Sequence, residues 1–324
     1  MVDLNCKICG GNSFSYAHKG IDRFCQIEGA FDLYRCNGCG LIFIFPFLQQ
    51  DVLMRYYPDT YYSYSDSERI QKYRNSLLEK LIFYLKHPLK AANCILYSKL
   101  LRQKDMTVFK KSFNVLDVGC GDGRYLLEKK RYGCKLFGVD ISDKALRKLK
   151  DTDPDMNVYC GNLWEAGFSD NLFDIVNVAA VLEHVIDIER LLLEIRRIIK
   201  EKGVLRIQVP NASSLTYKVF GRFWMGLDVP RHLYVFSLKN LKLLFKKSGF
   251  KVQQYRTVEN SYDFVSSTIY VLNSVLQKNR NIMESSNIWD NELLKLLFFP
   301  YALFVNALKI GDSIEFVLQK DGKY

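Results

Sequence analysis

Between Ser112 and Pro210, apolar runs of strand length alternate with segments of helical period, and this alternation restricts the fold more than any other property of the chain. "FNVLDVG", "KLFGVDIS", "NVYCGNL", the start of "FDIVNVAAVLEHV", and "GVLRIQVP" read as strands; "GRYLLEKKRYG", "DKALRKLKDT" and "DIERLLLEIRRIIKEKG" read as the helices between them. In the last helix Ile188, Leu191, Leu192, Ile195, Ile198 and Ile199 fall on one face, and Gly203 is placed to cap its end. A strand–helix–strand series gives an α/β fold with a parallel sheet, because parallel neighbours need a crossover that a hairpin cannot supply. After Pro210 the rhythm breaks. Residues 211–236 read as an insertion carrying "FGRFWMGLDVPRHLYVFS". "SLKNLKLLFKKSGF" is then a helix opened by Ser237 and closed by Gly249, and "KVQQYRTVE" is a strand. A second insertion, about 261–311, contains helical segments, and "SIEFVLQK", Ser313 to Lys320, alternates as the last strand.

The front of the chain has a different character. Cys6-Lys7-Ile8-Cys9-Gly10 and Cys36-Asn37-Gly38-Cys39-Gly40 are two knuckles of the same spacing. Two thiolates on one tight turn can share a metal ion, and the following glycine frees the backbone so that amides face the sulfurs. Two such knuckles make a tetrahedral four-sulfur site, which suits Zn2+. His18 and Cys25 lie between them as alternative ligands. Residues 1–46 are too few to hold together on apolar burial alone, so the metal is expected to be structural. Residues 47–111 read as a helical connector, with Leu77, Leu78, Leu81, Ile82 and Leu85 at helical steps and Pro88 interrupting. Its basic, aromatic and apolar mixture also suits a helix lying on a membrane surface.

Hydrophobic residues make up 48 % of the 324 residues, which excludes wholesale disorder. The net charge of +11 suits an anionic partner such as nucleic acid, a phosphorylated substrate or an acidic lipid surface. The N-terminus has no secretory signal pattern, and the apolar stretch between Lys295 and Lys309 is short and broken by Pro300. A cytoplasmic protein is therefore expected, with peripheral membrane contact as an added expectation. Nine cysteines in that setting favour metal ligands and buried thiols over disulfides.

The first βα turn, "VLDVGCGDGR", bears on the ligand. Gly119, Gly121 and Gly123 alternate, and Arg124 stands where a dinucleotide-binding loop has its third glycine. No lysine followed by serine or threonine completes a P-loop. Asp117, just before the turn, would repel a pyrophosphate and suits a cationic or amine-bearing ligand. Asp140, at the end of the next strand, can take both hydroxyls of a ribose, and Asn162, after the third, can pair with an adenine edge. An adenosine with a positive neighbour and no phosphate matches S-adenosylmethionine.

These segments, in order, resemble the successive motifs of class I S-adenosylmethionine-dependent methyltransferases, closely from Asn114 to Asn211. "YRCNGCGLIFIFPFLQQDVLMRYY" and "DVPRHLYVFSLKNLKLLFKKSGF" resemble the zinc-bearing front end and the later segment of sugar, glycan-pathway and quinone-biosynthesis-like relatives. The resemblance implies a Rossmann-like sheet of seven strands, mostly parallel with the last antiparallel, a small zinc-ribbon domain and helical insertions. It implies that Gly119, Cys120 and Gly121 contact the methionine part of the cofactor through backbone, and that Asp117 helps hold its ammonium. Asp140 would bind the ribose, Ile141 would pack on adenine, Asn162 and Leu163 would meet the adenine edge, and Ala179 would lie by the methionine chain. Asparagine at 162 replaces the more common aspartate and keeps the acceptor.

An acceptor hydroxyl or carbon must lose a proton, so a base with pKa near neutrality is sought. Of His18, His87, His184 and His232, the last two are placed for it: His184 follows the fourth strand and His232 lies on the first insertion, which should cover the cleft as a lid. Glu183 can orient a neighbour, and Arg231 reads as a structural ion pair before an anion contact. Trp224, Tyr61 and Tyr62 are candidate aromatic walls. The expected function is methyl transfer to a small or lipid-linked acceptor, a sugar or glycan intermediate, on oxygen or carbon. RNA methylation and a non-catalytic scaffold are the alternatives. "NVAAVLEH" in place of an Asn-Pro-Pro-aromatic box disfavours nucleic acid as the substrate.

Overall fold

The computed structural model describes residues 5–58, 106–259, 262–275 and 296–322. The Leu77–Leu85 helix, Tyr61, Tyr62 and His87 lie outside the described residues.

Seven strands form the main sheet: β4 (Asn114–Val118), β5 (Lys135–Asp140), β6 (Asn157–Cys160), β7 (Phe173–Ala179), β8 (Ile199–Pro210), β10 (Phe250–Val258) and β11 (Ser313–Lys320), in the order β10-β11-β8-β7-β4-β5-β6. β6, β5, β4, β7 and β8 are mutually parallel, and β11 runs antiparallel to both β8 and β10. The mostly parallel Rossmann-like sheet with an antiparallel last strand is therefore observed as expected. Three of the helices beside the sheet are α2 (Arg124–Lys129), α3 (Asp143–Thr152) and α4 (Ile188–Ile198). Ser142 caps α3 by accepting from the Ala145 amide, and Asp187 caps α4 by accepting from the Arg190 amide. Ile188, Leu191, Leu192, Ile195 and Ile198 bury the inner stripe of α4.

One boundary differs. The helix ends at Ile198, and β8 starts at Ile199, so Gly203 lies inside a strand and caps nothing. Ile199 pairs with Phe173, and a β-carbon on Gly203 would stand 3.0 Å from the Phe173 carbonyl oxygen. The Ile199 side chain and the Lys200 carbonyl would be closer still, at 2.7 and 2.9 Å, so the glycine serves the irregularity of β8 where its pairing with β7 shifts register between Phe173 and Ile175.

The N-terminal part is a small antiparallel sheet of β1 (Phe14–Ile21), β2 (Ala30–Cys36) and β3 (Ile42–Ile44). Its fourth strand, β9 (Tyr234–Val235), comes from the 211–236 insertion and pairs with β3 through Ile42↔Val235 and Phe43↔Tyr234. Ile8, Leu41 and Phe43 belong to the same apolar cluster as Leu116, Val118 and Val176 of the main sheet. The insertion also carries α5 (Leu215–Phe220), and α6 (Leu238–Lys247) follows it. The second insertion provides α7 (Tyr262–Val275) and α8 (Phe299–Ala307). No helix among the described residues is long and apolar enough to cross a membrane.

Candidate functional site

The C-terminal ends of β4, β5 and β7 share one edge of the sheet, and the chain turns from building one side of β4 to the other there. Crevices of open α/β sheets form at such a point. The glycine loop after β4 fills it under tight constraints. Gly119 has φ +69°, and a β-carbon there would stand 2.3 Å from a Val181 methyl across the crevice; one on Gly123, at φ +74°, would stand 2.3 Å from Leu149. Ala180, beside Val181, is itself held at φ +53°.

The loop's amides are spoken for. Gly119 and Cys120 N–H donate to the Val139 carbonyl at 2.7 and 3.1 Å, Gly121 N–H to the Asp140 carboxylate at 2.8 Å, and Gly123 N–H to the Cys120 carbonyl at 2.8 Å. A phosphate cradle needs free amides, and these are not free. What the loop retains toward a ligand are carbonyl and carboxylate oxygens, which suit an ammonium and ribose hydroxyls. Asp140 also accepts from Ser142 N–H at 2.8 Å, which leaves each oxygen further lone-pair capacity. Asp117 is buried and accepts from the Asn177 amide at 2.7 Å; burial pushes its carboxyl up to about 7. Ile141 is an exposed apolar side chain beside Asp140, positioned for a flat ring. Ala179 ends β7. Asn162 is partly buried, with its backbone and side-chain amides donating to Glu165. The side chains of Leu163 and Cys120 point into the core, so these residues can meet a cofactor only through backbone. Burial raises the Cys120 thiol well above its ordinary range, and it is no nucleophile.

On the turn that follows β7 the structure brings His184 against His232 of the insertion, with ring centroids 4.6 Å apart at 71°. His184 Nδ1 lies 2.9 Å from both the Arg231 carbonyl and the Tyr57 hydroxyl. His232 Nδ1 lies 2.9 Å from the Gly226 carbonyl. A carbonyl can only accept, so Nδ1 carries the proton in each ring and Nε2 keeps its lone pair. Burial holds His184 down to about 3, helped by the charge of His232, and burial also lowers His232. Glu183 is fully buried, neither of its oxygens has a hydrogen-bond partner, and Oε1 is 4.0 Å from His232 Nε2. Burial raises its carboxyl to about 8, so it is protonated at neutral pH. Arg231 does not face the crevice: its fully buried guanidinium is paired with Asp22 at 2.7 Å and Asp228 at 2.6 Å. Trp224, 1 % exposed, packs in a separate apolar cluster.

A family profile described as "Methyltransferase domain" matches residues 71–255. The chain belongs to this methyltransferase family. Among its relatives, an uncharacterized protein of Methanocaldococcus jannaschii is 34 % identical over 43 % of this chain and 59 % of its own length. A demethylmenaquinone methyltransferase of Thermotoga maritima is 32 % identical over 36 % of this chain and 52 % of its own. The methyltransferase thus spans between half and three fifths of the length of these curated relatives. Among solved structures, a SAM-dependent methyltransferase from Archaeoglobus fulgidus covers 74 % of this chain and 99 % of its own, at 20 % identity and a TM-score of 0.46.

The methyltransferase carries a second site in its N-terminal sheet. The sulfurs of Cys6, Cys9, Cys36 and Cys39 lie within 4.8 Å of one another, with Cys6–Cys39 at 3.6 Å and Cys9–Cys36 at 3.5 Å. Zinc–sulfur bonds of about 2.3 Å set tetrahedral edges of roughly 3.8 Å, so the four sulfurs need only a small expansion to hold Zn2+. Each knuckle closes by the same two backbone bonds, Gly10 N–H to Cys6 and Cys6 N–H to Gly11 in one, and Gly40 N–H to Cys36 and Cys36 N–H to Leu41 in the other. His18 and Cys25 are outside this cluster. The eight described cysteines are all free of disulfides. Sequence reasoning did not find Tyr57 or Asp22. Neither sits in a local motif; each reaches the site from 127 and 209 residues away, Tyr57 to His184 and Asp22 to Arg231.

Proposed function

We propose that this protein transfers a methyl group from S-adenosylmethionine to a sugar or glycan intermediate, either a free small molecule or a lipid-linked one. The observation that carries this reading is a crevice that presents acceptors, not amides, together with two neutral histidines at the turn that follows β7. The cofactor supplies an electrophilic methyl on its sulfonium. The chain's own residues then do the rest. Asp140 and the loop carbonyls orient the nucleoside and ammonium, and Ile141 covers the base. His232, with Nδ1 fixed on the Gly226 carbonyl, offers Nε2 to receive the acceptor's proton; His184 holds its ring and the acceptor's approach. We further propose that the four cysteines hold a structural Zn2+. A cytoplasmic setting fits this chemistry, and contact with a membrane surface is proposed from Leu297, Phe304 and Leu308, exposed around α8.

Calorimetry with S-adenosylmethionine, followed by a methyl-transfer screen over nucleotide sugars and polyprenyl-linked glycans, tests the proposal. Absence of cofactor binding at millimolar concentration removes it. Turnover of structured RNA with no turnover of any sugar replaces the acceptor. Flotation with anionic liposomes at low salt tests the membrane contact, which fails if the protein stays at the bottom of the gradient.

A further inference from the structure

Donors without acceptors gather where β1, β2 and the loop after β1 meet the 211–236 insertion. Arg23 lies over the Phe223 ring with its guanidinium carbon 4.9 Å from the centroid, and Arg222 lies 5.0 Å from the same centroid. The acids closest to Arg23 and Arg222 in sequence, Asp22 and Asp228, are already consumed by Arg231. Neither Arg23 nor Arg222 has an ion pair among the described residues. Arg35 joins them from β2, its charge acting on both His18 and the Tyr217 hydroxyl. Under them His18 has both ring nitrogens buried and without a hydrogen-bond partner. Burial keeps it neutral, aided by the charges of Arg23, Arg35 and Arg222. Trp224 and Arg23 line one cleft with Phe24, Met225, Asp228 and Tyr270, and the buried indole N–H of Trp224 has no acceptor either.

Like charges drawn together, Arg23 half-buried and Arg35 and Arg222 exposed, repel one another unless an anion completes them. Guanidinium groups arriving from three separate segments match an anion broader than one carboxylate, with several oxygens for forked donors. The Phe223 ring between them already has two guanidinium groups placed on it.

We propose that Arg23, Arg35 and Arg222, with His18 and the Trp224 indole, form a binding site for a diphosphate ester, the activating group of the methyl acceptor. The ligand's organic part rests on the acceptor reading above; the anion site does not. The diphosphate can come from a nucleotide sugar or from a polyprenyl carrier. Titration of the full-length, zinc-loaded protein with inorganic pyrophosphate, uridine diphosphate and a short polyprenyl diphosphate in micelles distinguishes these sources. Pyrophosphate and at least one of the two esters are expected to bind, and to change a tryptophan emission that Trp224→Phe abolishes. Arg23→Gln and Arg222→Gln are each expected to weaken binding about tenfold or more, and together to abolish it, while cofactor affinity stays as a check on folding. Lys19→Gln, an exposed cation on β1 that is not among the proposed donors, is expected to change affinity less than about twofold.

No pyrophosphate binding at millimolar concentration, equal binding by the double arginine variant, or an effect of Lys19→Gln as large as that of Arg23→Gln overturns the site. So does displacement of the bound probe by single-stranded RNA at lower concentration than by either ester. Methyl transfer to sugars lacking a diphosphate, with no anion binding, sinks this site and leaves the acceptor reading standing. Anion binding that depends on these arginines, with no transfer to any diphosphate-linked sugar, does the reverse.

Discussion

Glu183 departs far from the energetics of an exposed carboxyl. A carboxyl with a folded pKa of about 8 holds a proton that an unfolded chain, at an ordinary 4.5, has released. Stability from this group therefore falls as pH rises from 4.5 to 8. His184 acts in the opposite sense: with a folded pKa of about 3 against an ordinary 6.5, it makes stability rise with pH between those values. Above about pH 6.5 the histidine has finished and the carboxyl has not. Glu183→Gln should remove this carboxyl's share of the decline from there to about pH 8, a difference of roughly 2 kcal/mol. Denaturant melts across that range check it, and parallel curves for the two proteins would refute it. The neighbouring histidine makes a kinetic prediction. His232→Ala should lower methyl transfer by about 10²–10⁴-fold with cofactor affinity held within a few-fold, because the proposed role of its ring is to take the acceptor's proton and not to hold the nucleoside. A matching loss of cofactor affinity in calorimetry would assign it a structural role.

At the scale of elements, the crevice depends on two loops that touch. Gly119 after β4 and Val181 after β7 leave no room for a β-carbon, and the φ of +69° at Gly119 disfavours any side chain. Gly119→Ala should therefore cost about 1–3 kcal/mol of stability and weaken cofactor binding at least about tenfold. Adding Val181→Ala should restore part of this by relieving the clash, but not the backbone strain. Full restoration in thermal melts and calorimetry would show that φ at this position is unimportant. The elements themselves were legible where local rules acted alone. α3 runs from Asp143 to Thr152 and β11 from Ser313 to Lys320, the spans read from the sequence. The end of α4 was not, because the sequence "IKEKG" keeps helical propensity while pairing of Ile199 with Phe173 draws it into the sheet. The Asp117, Gly119 and Asp140 positions were legible as acceptors from spacing. That the Gly119, Cys120, Gly121 and Gly123 amides are consumed internally needed the three-dimensional path of Val139 and Asp140.

Across the whole molecule, the N-terminal sheet and the histidine site are joined by one continuous run of backbone. Cys36 and Cys39 lead into β3, β3 pairs with β9, the Ile44 amide donates to the Leu233 carbonyl at 3.1 Å, and the Leu233 amide donates to the Glu183 carbonyl at 2.8 Å. Arg231, adjacent to His232, closes a second link through its buried pair with Asp22 at the end of the ribbon hairpin. Nothing in the sequence between Cys39 and Tyr234 signals that pairing, since strand partners so distant follow from the tertiary fold alone. It means that the segment bearing His232 takes its order from the cysteine site as well as from the main sheet. With the proposed Zn2+ in place its charge holds the four thiolates together, so stripping it should loosen the knuckles first. Removal with a strong chelator should then raise amide hydrogen exchange in 30–44 and in 228–236 together, while β4, β5 and β7 keep their protection. Cofactor affinity should change less than about threefold and methyl transfer should fall by at least about tenfold, because the nucleoside crevice survives and His232 loses its fixed position. Asp22→Asn should reproduce part of this with the metal in place, since breaking a fully buried ion pair costs about 3–5 kcal/mol. Exchange in 228–236 that stays unchanged when the metal is removed would show that the insertion is held by the main sheet alone.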